Sequence, residues 1–287
     1  MIIDAHLHIW DPTRADYPWF GPWMGDLERP IGFPEIAPQL AARGIGGAVL
    51  VQAADDARDT RNMLEAADAE ACVLGVVAYS PLDDAVRLAA DLESYAADPR
   101  VVGIRNLIHE HDRAWLDRPE IETGLALLAR AQMPLDFPVN DPAALRQLAG
   151  IARRHPELPL VLDHLGHPPI GLPPAAHEEW RELVAACAAA PNVTAKLSGL
   201  YSATGDLAAW TTDGIRPFVD DALDLFGPDR LIYGGDWPIS ELAGGYPRTW
   251  AAVGELLEPL SPAEREAILG GTATRVYALP TPTTGAS

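Results

Sequence analysis

Ile2-Ile3-Asp4-Ala5-His6-Leu7-His8-Ile9 opens the chain with a short apolar run that ends in two histidines one residue apart. An extended strand turns alternate side chains to the same side, so the two imidazoles share a face. Further runs of this kind begin near Gly46, Cys72, Val101, Pro134, Pro159, Val193 and Leu231, with helical patterns between them. Strand and helix in alternation are the signature of βαβ units around a parallel sheet. The near-continuous Val, Ile and Leu of several runs suits strands covered on both faces. Eight such strands predict an α/β fold, a single distorted TIM (β/α)8 barrel, in preference to an open doubly wound sheet.

The segments between the strands carry helix punctuation. Ser80-Pro81 and Asp141-Pro142 each set a capping side chain before a proline, and Ser261-Pro262-Ala263-Glu264 reads as a capping box. Amphipathic stretches follow at Ala85 to Tyr95, Ala143 to Arg154 and Glu178 to Ala189. The 287 residues are read as one barrel domain over 1–278 and a flexible tail over 279–287. A long non-periodic stretch from Ile9 to Pro34 holds Trp10, Tyr17, Trp19, Phe20 and Trp23. Loops of that length in a compact domain are commonly functional.

A formal charge of −20, from 41 acidic against 21 basic residues, disfavours nucleic acid and anionic membrane surfaces as partners, because both need clustered Lys and Arg. Cys72 and Cys187 sit in apolar runs and read as buried thiols of a reducing compartment. The chain shows neither a membrane-length apolar run nor a signal-like start, which places the expected location in the cytoplasm. A small molecule is the expected partner, and a homo-oligomer is left open.

His164, in Leu-Asp-His-Leu-Gly, and Asp236, in Gly-Gly-Asp-Trp-Pro, fall at the ends of the sixth and eighth runs. Together with His6 and His8 they point to the rim where barrels place catalysis. Three imidazoles and one carboxylate suit a single divalent ion, Zn²⁺ or Mn²⁺. The same four residues can also act without an ion, Asp236 as general base for water and the histidines, His164 above all, orienting it or donating to a carbonyl oxygen. Arg105 and Lys196 are strand-end cations suited to a carboxylate or an oxyanion, with a salt-bridged rim charge as the plainer reading. Gln52 offers an amide to a substrate hydroxyl or to backbone. Trp10, Trp19 and Trp237 either wall a pocket or pack a long loop. His109-Glu110-His111 is a second His-x-His, but it lies beyond its strand in a charged loop, and His155 and His177 read as surface residues.

Asp-Ala-His-Leu-His-Ile-Trp (4 to 10), Tyr-Pro-Trp-Phe (17 to 20), Val-Val-Gly-Ile-Arg (101 to 105), Asp-His-Leu-Gly-His-Pro (163 to 168), Lys-Leu-Ser-Gly-Leu (196 to 200) and Gly-Asp-Trp-Pro (235 to 238) occur in that order. Over nearly its whole length the chain thereby resembles the amidohydrolase superfamily. Within it, the chain is similar to the amidohydrolase-2 group of sugar lactonases, of the L-fuconolactonase and L-rhamnonolactonase kind, and pyrone-dicarboxylate lactonases. The resemblance implies the distorted barrel, matches His6, His8, His164 and Asp236 to active-site positions, and matches Arg105 to a substrate-contacting arginine. The chain departs from the pattern at Gly235, where Ser is usual, at His167, where Lys is common, and at Asn106, where His is frequent. With no histidine on the fifth strand and no lysine ending the fourth, a two-metal site is not expected. The expected activity is hydrolysis of a sugar-acid lactone, with divalent-metal assistance that is dispensable in one of the two mechanisms. The alternatives are a metal-dependent decarboxylase of an aromatic or unsaturated acid, and a barrel that binds a sugar acid without turning it over.

Overall fold

The computed structural model describes residues 1–201 and 205–280. Eight parallel strands form one sheet in chain order: β1 (Ile2–Leu7), β2 (Ile45–Val51), β3 (Val73–Tyr79), β4 (Val101–Arg105), β5 (Leu135–Phe137), β6 (Leu160–Leu162), β7 (Val193–Leu197) and β8 (Leu231–Tyr233). All eight coincide with the apolar runs, because a strand covered by helices on one face and a barrel core on the other must be apolar on both. The ring closes through one parallel bridge, Leu7 to Trp237, instead of a full ladder between β8 and β1. Two hydrogen bonds make that seam: His8 N donates to Trp237 O at 2.7 Å, and Asp236 N donates to His6 O at 2.8 Å. Barrel closure and placement of the candidate residues are therefore the same event.

The apolar core is split in two. Ile3, Ala5, Val49, Val51, Val77, Val161 and Ile232 fill the barrel interior with Tyr277 below them, whereas a larger cluster lies between the outer strand faces and the helices. Burying each such side chain contributes roughly 1.5–3 kcal/mol. Leu279 packs into the inner cluster, and of the expected tail residues 281–287 lie outside the described residues.

Asp141 caps the helix Pro142–Arg154 by accepting from Ala143 N and Ala144 N, and Ser261 and Glu264 form the capping box. Ser80 corrects the third expectation. The helix begins at Ala85 and is capped by Asp84, while the Ser80 hydroxyl is buried and donates to Asp91 at 2.8 Å. Cys72 and Cys187 are free, the latter fully buried. Among the described residues no helix is long and apolar enough to cross a membrane.

Candidate active site

β1 delivers the first two imidazoles. Its register against β2 shifts between Asp4 and Leu7, and His6 and His8 then face one another, Nε2 to Nε2 at 3.1 Å. His8 Nδ1 lies 2.7 Å from Val51 O. A carbonyl only accepts, so Nδ1 carries the hydrogen and Nε2 keeps its lone pair. His6 Nδ1 lies 3.0 Å from Lys196 Nζ. A protonated Lys196 donates there, which leaves the His6 hydrogen on Nε2, aimed at the His8 lone pair.

Beneath the histidines the barrel interior turns ionic. Lys196 also donates to Asp136 and lies 3.3 Å from Asp163 Oδ1, and Tyr277 OH donates to Asp136 Oδ1 at 2.7 Å. Arg105 Nε donates to Asp163 Oδ2 at 2.8 Å and its Nη1 to Gln52 O at 3.0 Å; in return Gln52 Nε2 donates to Arg105 O at 2.9 Å. Burial pushes the Asp136 carboxyl up. Burial acts on Asp163 in the same direction, but Lys196, His6 and Arg105 together hold that carboxyl well below the usual range. Two acids matched by two bases let this layer exist without water.

His164 and Asp236 stand above it on unusual backbone. Both adopt left-handed φ, 53° and 52°, a conformation that costs a non-glycine residue roughly 1–2 kcal/mol and that concentrates at functional sites. Two glycines make room for them. A side chain at Gly199, itself at φ +60°, would collide with the His164 ring, and one at Gly235 would collide with Tyr246 and Asp4. Asp4 accepts from His6 N at 3.2 Å, Gly235 N at 2.8 Å and Tyr246 OH at 2.6 Å, so one buried carboxylate clamps β1 to the turn that carries Asp236. The departure at Gly235 thus has a physical reason: Tyr246 fills the space a serine would take.

The Asp236 carboxylate lies 3.6 Å from His8 Nε2 and 3.8 Å from His6 Nε2. Burial would raise its pKa, yet His164, His8 and His6 hold it below the ordinary carboxylate range. Burial lowers the His164 imidazole, whose Nδ1 is 2.9 Å from Ser198 Oγ. The constellation is an ionised carboxylate beside His6 and His164, whose buried imidazoles are held below the ordinary histidine value.

A cavity of about 400 Å³ opens over it, lined by His164 and Asp236 together with Trp23, Asn140, His167, Ile170, Tyr201 and Ile239 among others. That volume suits a ligand the size of one sugar ring. His6, His8, His164 and Asp236 come together as the sequence reading expects, with the two β1 histidines just beneath the cavity lining. The expected substrate contacts are placed elsewhere. Lys196 and Gln52 are fully buried and Arg105 nearly so, each committed to the ionic layer. Trp10 is also without exposed surface: its Nε1 donates to Leu27 O, and it packs on Trp19 and Phe20 as loop core. Trp237 is buried and serves the seam through its carbonyl. Trp19 donates to Ala53 O and stands beside Trp23.

Of the remaining histidines, His167 lines the cavity with its ring 5.3 Å from that of His164. His109 lies in a short turn beside Glu110, and His111 stacks on Trp115 at 4.0 Å and faces Asp55. His155 and His177 pair with Glu122 and Asp221. The sequence gives no role to Asp136, Asp163 or Ser198, and marks the wall residue Trp23 only as one aromatic of the long loop. The signal for the two acids was present: a carboxylate inside the apolar runs Leu135-Asp136-Phe137 and Leu162-Asp163 needs a buried cation.

Donor atoms of His6, His8 and Asp236 lie within 4.8 Å of one another, as do those of His6, Asp163 and His164. Imidazoles with a carboxylate fit a divalent ion such as zinc. Asp163 Oδ1 supports the fit. It is buried without a hydrogen bond, 3.5 Å from His6 Nδ1; were a metal to take the His6 Nε2 lone pair, the ring hydrogen would move to Nδ1 in place of the Lys196 contact, and this oxygen could accept it.

Known proteins resemble the chain over nearly its whole length. The family model described as Amidohydrolase matches residues 3–279. The L-fucono-1,5-lactonase of Burkholderia ambifaria is 34% identical over 288 residues, covering 98% of this chain and 96% of that protein. That of Burkholderia multivorans is 35% identical over 292 residues, covering 98% and 97%. An amidohydrolase from Burkholderia multivorans, solved with bound HEPES, superposes with a TM-score of 0.91 at 34% identity, covering 98% of this chain and 100% of that one. Solved with bound zinc it superposes with a TM-score of 0.88, at the same identity and coverage.

Proposed function

Because the chain belongs to the amidohydrolase family, we propose that it is a hydrolase that opens the ring of a sugar-acid lactone. One observation carries the reading: an ionised Asp236 carboxylate, set among His6, His8 and His164, lines a cavity of about 400 Å³. Among the described residues no Lys or Arg lines that cavity, which favours an uncharged ring over a dicarboxylate.

In the proposed reaction the lactone carbonyl lies beside His164 and a water lies against Asp236. Asp236 takes a proton from the water as its oxygen adds to the carbonyl carbon. The tetrahedral oxyanion is met by hydrogen-bond donation from an imidazole, His164 being the one on the cavity wall. The ring C–O bond then breaks, and the leaving oxygen recovers the proton from Asp236 as an alcohol. Asp236 is a weak base on account of its lowered pKa. A divalent ion, zinc or manganese, held by His6, His8 and Asp236 with His164 beside them, would supply a water of lowered pKa and a polarised carbonyl.

Acid release from a panel of sugar 1,4- and 1,5-lactones, followed by pH indicator, tests the reading. The protein is assayed as purified and after chelation, with the metal content of both samples measured. Hydrolysis is expected in the purified sample. Loss on chelation with recovery in Zn²⁺ or Mn²⁺ makes the ion part of the machinery, and survival assigns water activation to Asp236 and the imidazoles alone. Silence across the panel, with carbon dioxide released from hydroxybenzoate-type acids, would replace the lactonase with a decarboxylase.

A further inference from the structure

We propose that Trp23 is the platform on which the non-reacting face of the substrate ring packs, and that it sets specificity for a ring over an open chain. The inference rests on the lactonase reading for the nature of the ring. It concerns a residue that neither the sequence motifs nor the ionic layer accounts for.

Trp23 is 53% exposed, one of four large apolar side chains left in water among the described residues. Single exposed apolar residues are ordinary, and Val86 and Met1 need no further account. Trp23 differs by its place, since it lines the same cavity as His164 and Asp236. Its segment, the 3₁₀ turn Pro22–Leu27, is anchored on the C-terminal side of it. Met24 is fully buried, Leu27 is 8% exposed, and the Leu27 carbonyl accepts from Trp10 Nε1 at 3.1 Å. The indole leans on Trp19, ring centroids 5.9 Å apart and tilted by 35°, and Trp19 is itself tied to Ala53 O at 2.6 Å. An anchored turn thus holds a large flat apolar surface in the cavity with more than half of it uncovered.

A saturated sugar ring presents a flat face of C–H groups on one side and hydroxyls around its edge. The indole covers the former, while Asn140 and His167 on the same cavity wall offer polar atoms to the latter. Covering the free half of an indole is worth about a ten- to hundredfold gain in binding. The contact exists equally before and during the reaction, so it belongs in KM and not in kcat.

The test compares wild type with W23A and W23F on sugar lactones and on a small acyclic ester. An unchanged Tm is expected for both variants, since the side chain is not part of the core. W23A is expected to raise KM for the sugar lactones about tenfold or more, with kcat within roughly threefold, while W23F recovers most of the loss and the acyclic ester is affected much less. Unchanged KM in W23A, or an equal loss on ring and open-chain substrates, overturns the proposal. Absence of turnover in wild type refutes the lactonase reading instead, and the platform is then judged by calorimetric titration with aldonic acids. Weaker binding by W23A supports it, and equal or absent binding by both proteins overturns it.

Discussion

At Asp236 and His164 the protein holds a charged acid and neutral bases side by side, and this has consequences for pH. Burial lowers the His164 imidazole, and burial together with Lys196 lowers that of His6 still further. Each therefore takes its proton at a lower pH than an ordinary histidine, whose value is 6.5. Any acidic limb of the kcat/KM profile is therefore expected below the ordinary histidine value; an acidic limb centred at 6.5 to 7 would show that His164 is an ordinary exposed imidazole. Linkage gives a second check. The unfolded chain gains protons below pH 6.5 that the native chain refuses, so the buried imidazole costs stability as pH drops. Wild type should lose unfolding free energy relative to H164Q between pH 7 and 5, by up to about 1.4 kcal/mol per pH unit, and a difference independent of pH would contradict the assignment. The four central residues were legible because each ends an apolar run. Asp136 and Asp163 are marked by their place inside apolar runs, but their partner is not, since Lys196 comes into contact with them only when β5, β6 and β7 lie side by side. For the aromatics, Trp10 and Trp23 occupy the same loop, and nothing in their spacing tells which is core and which is wall.

Among the elements, the seam between β8 and β1 and the ionic layer decide the geometry of the site. Replacing Lys196 by methionine leaves Asp136 and Asp163 as facing buried acids, and a loss of about 3–5 kcal/mol is expected by chemical denaturation. The double variant K196M/D136N should recover part of it, whereas a K196M protein of wild-type stability would mean that the layer is hydrated. The turn before Asp236 is expected to be equally exacting. G235S drives a side chain into Tyr246 and Asp4 and should destabilise the protein by about 1–3 kcal/mol while lowering kcat. Paired with Y246L it should regain stability, because the smaller side chain frees the space and the new hydroxyl can donate to Asp4. Capping at Asp141 and Ser261 was readable from sequence, being a local hydrogen-bond pattern. Ser80 carried the same pattern but was drawn into the barrel top by Asp91, a partner eleven residues away.

For the molecule as a whole, the alternation of runs and helices revealed the barrel, but not that it closes through a single bridge whose hydrogen bonds run through His6, His8 and Asp236. Closure and site formation being one event, an ion bound at the site should stabilise the entire fold. Chelation is expected to lower Tm, and zinc in excess to restore it by mass action. The −20 charge adds a general repulsion that salt screens, so Tm should also rise between about 10 and 200 mM NaCl. In the proposed mechanism Asp236 activates water for lactone opening in this cavity. Its most direct test is the steady-state rate of acid release from a sugar 1,5-lactone by wild type and by D236N, corrected for spontaneous hydrolysis, at matched metal content and with folding checked by Tm. Rapid turnover is expected of wild type, and a loss of about a thousandfold or more in a folded D236N. A folded D236N within tenfold of wild type would contradict it.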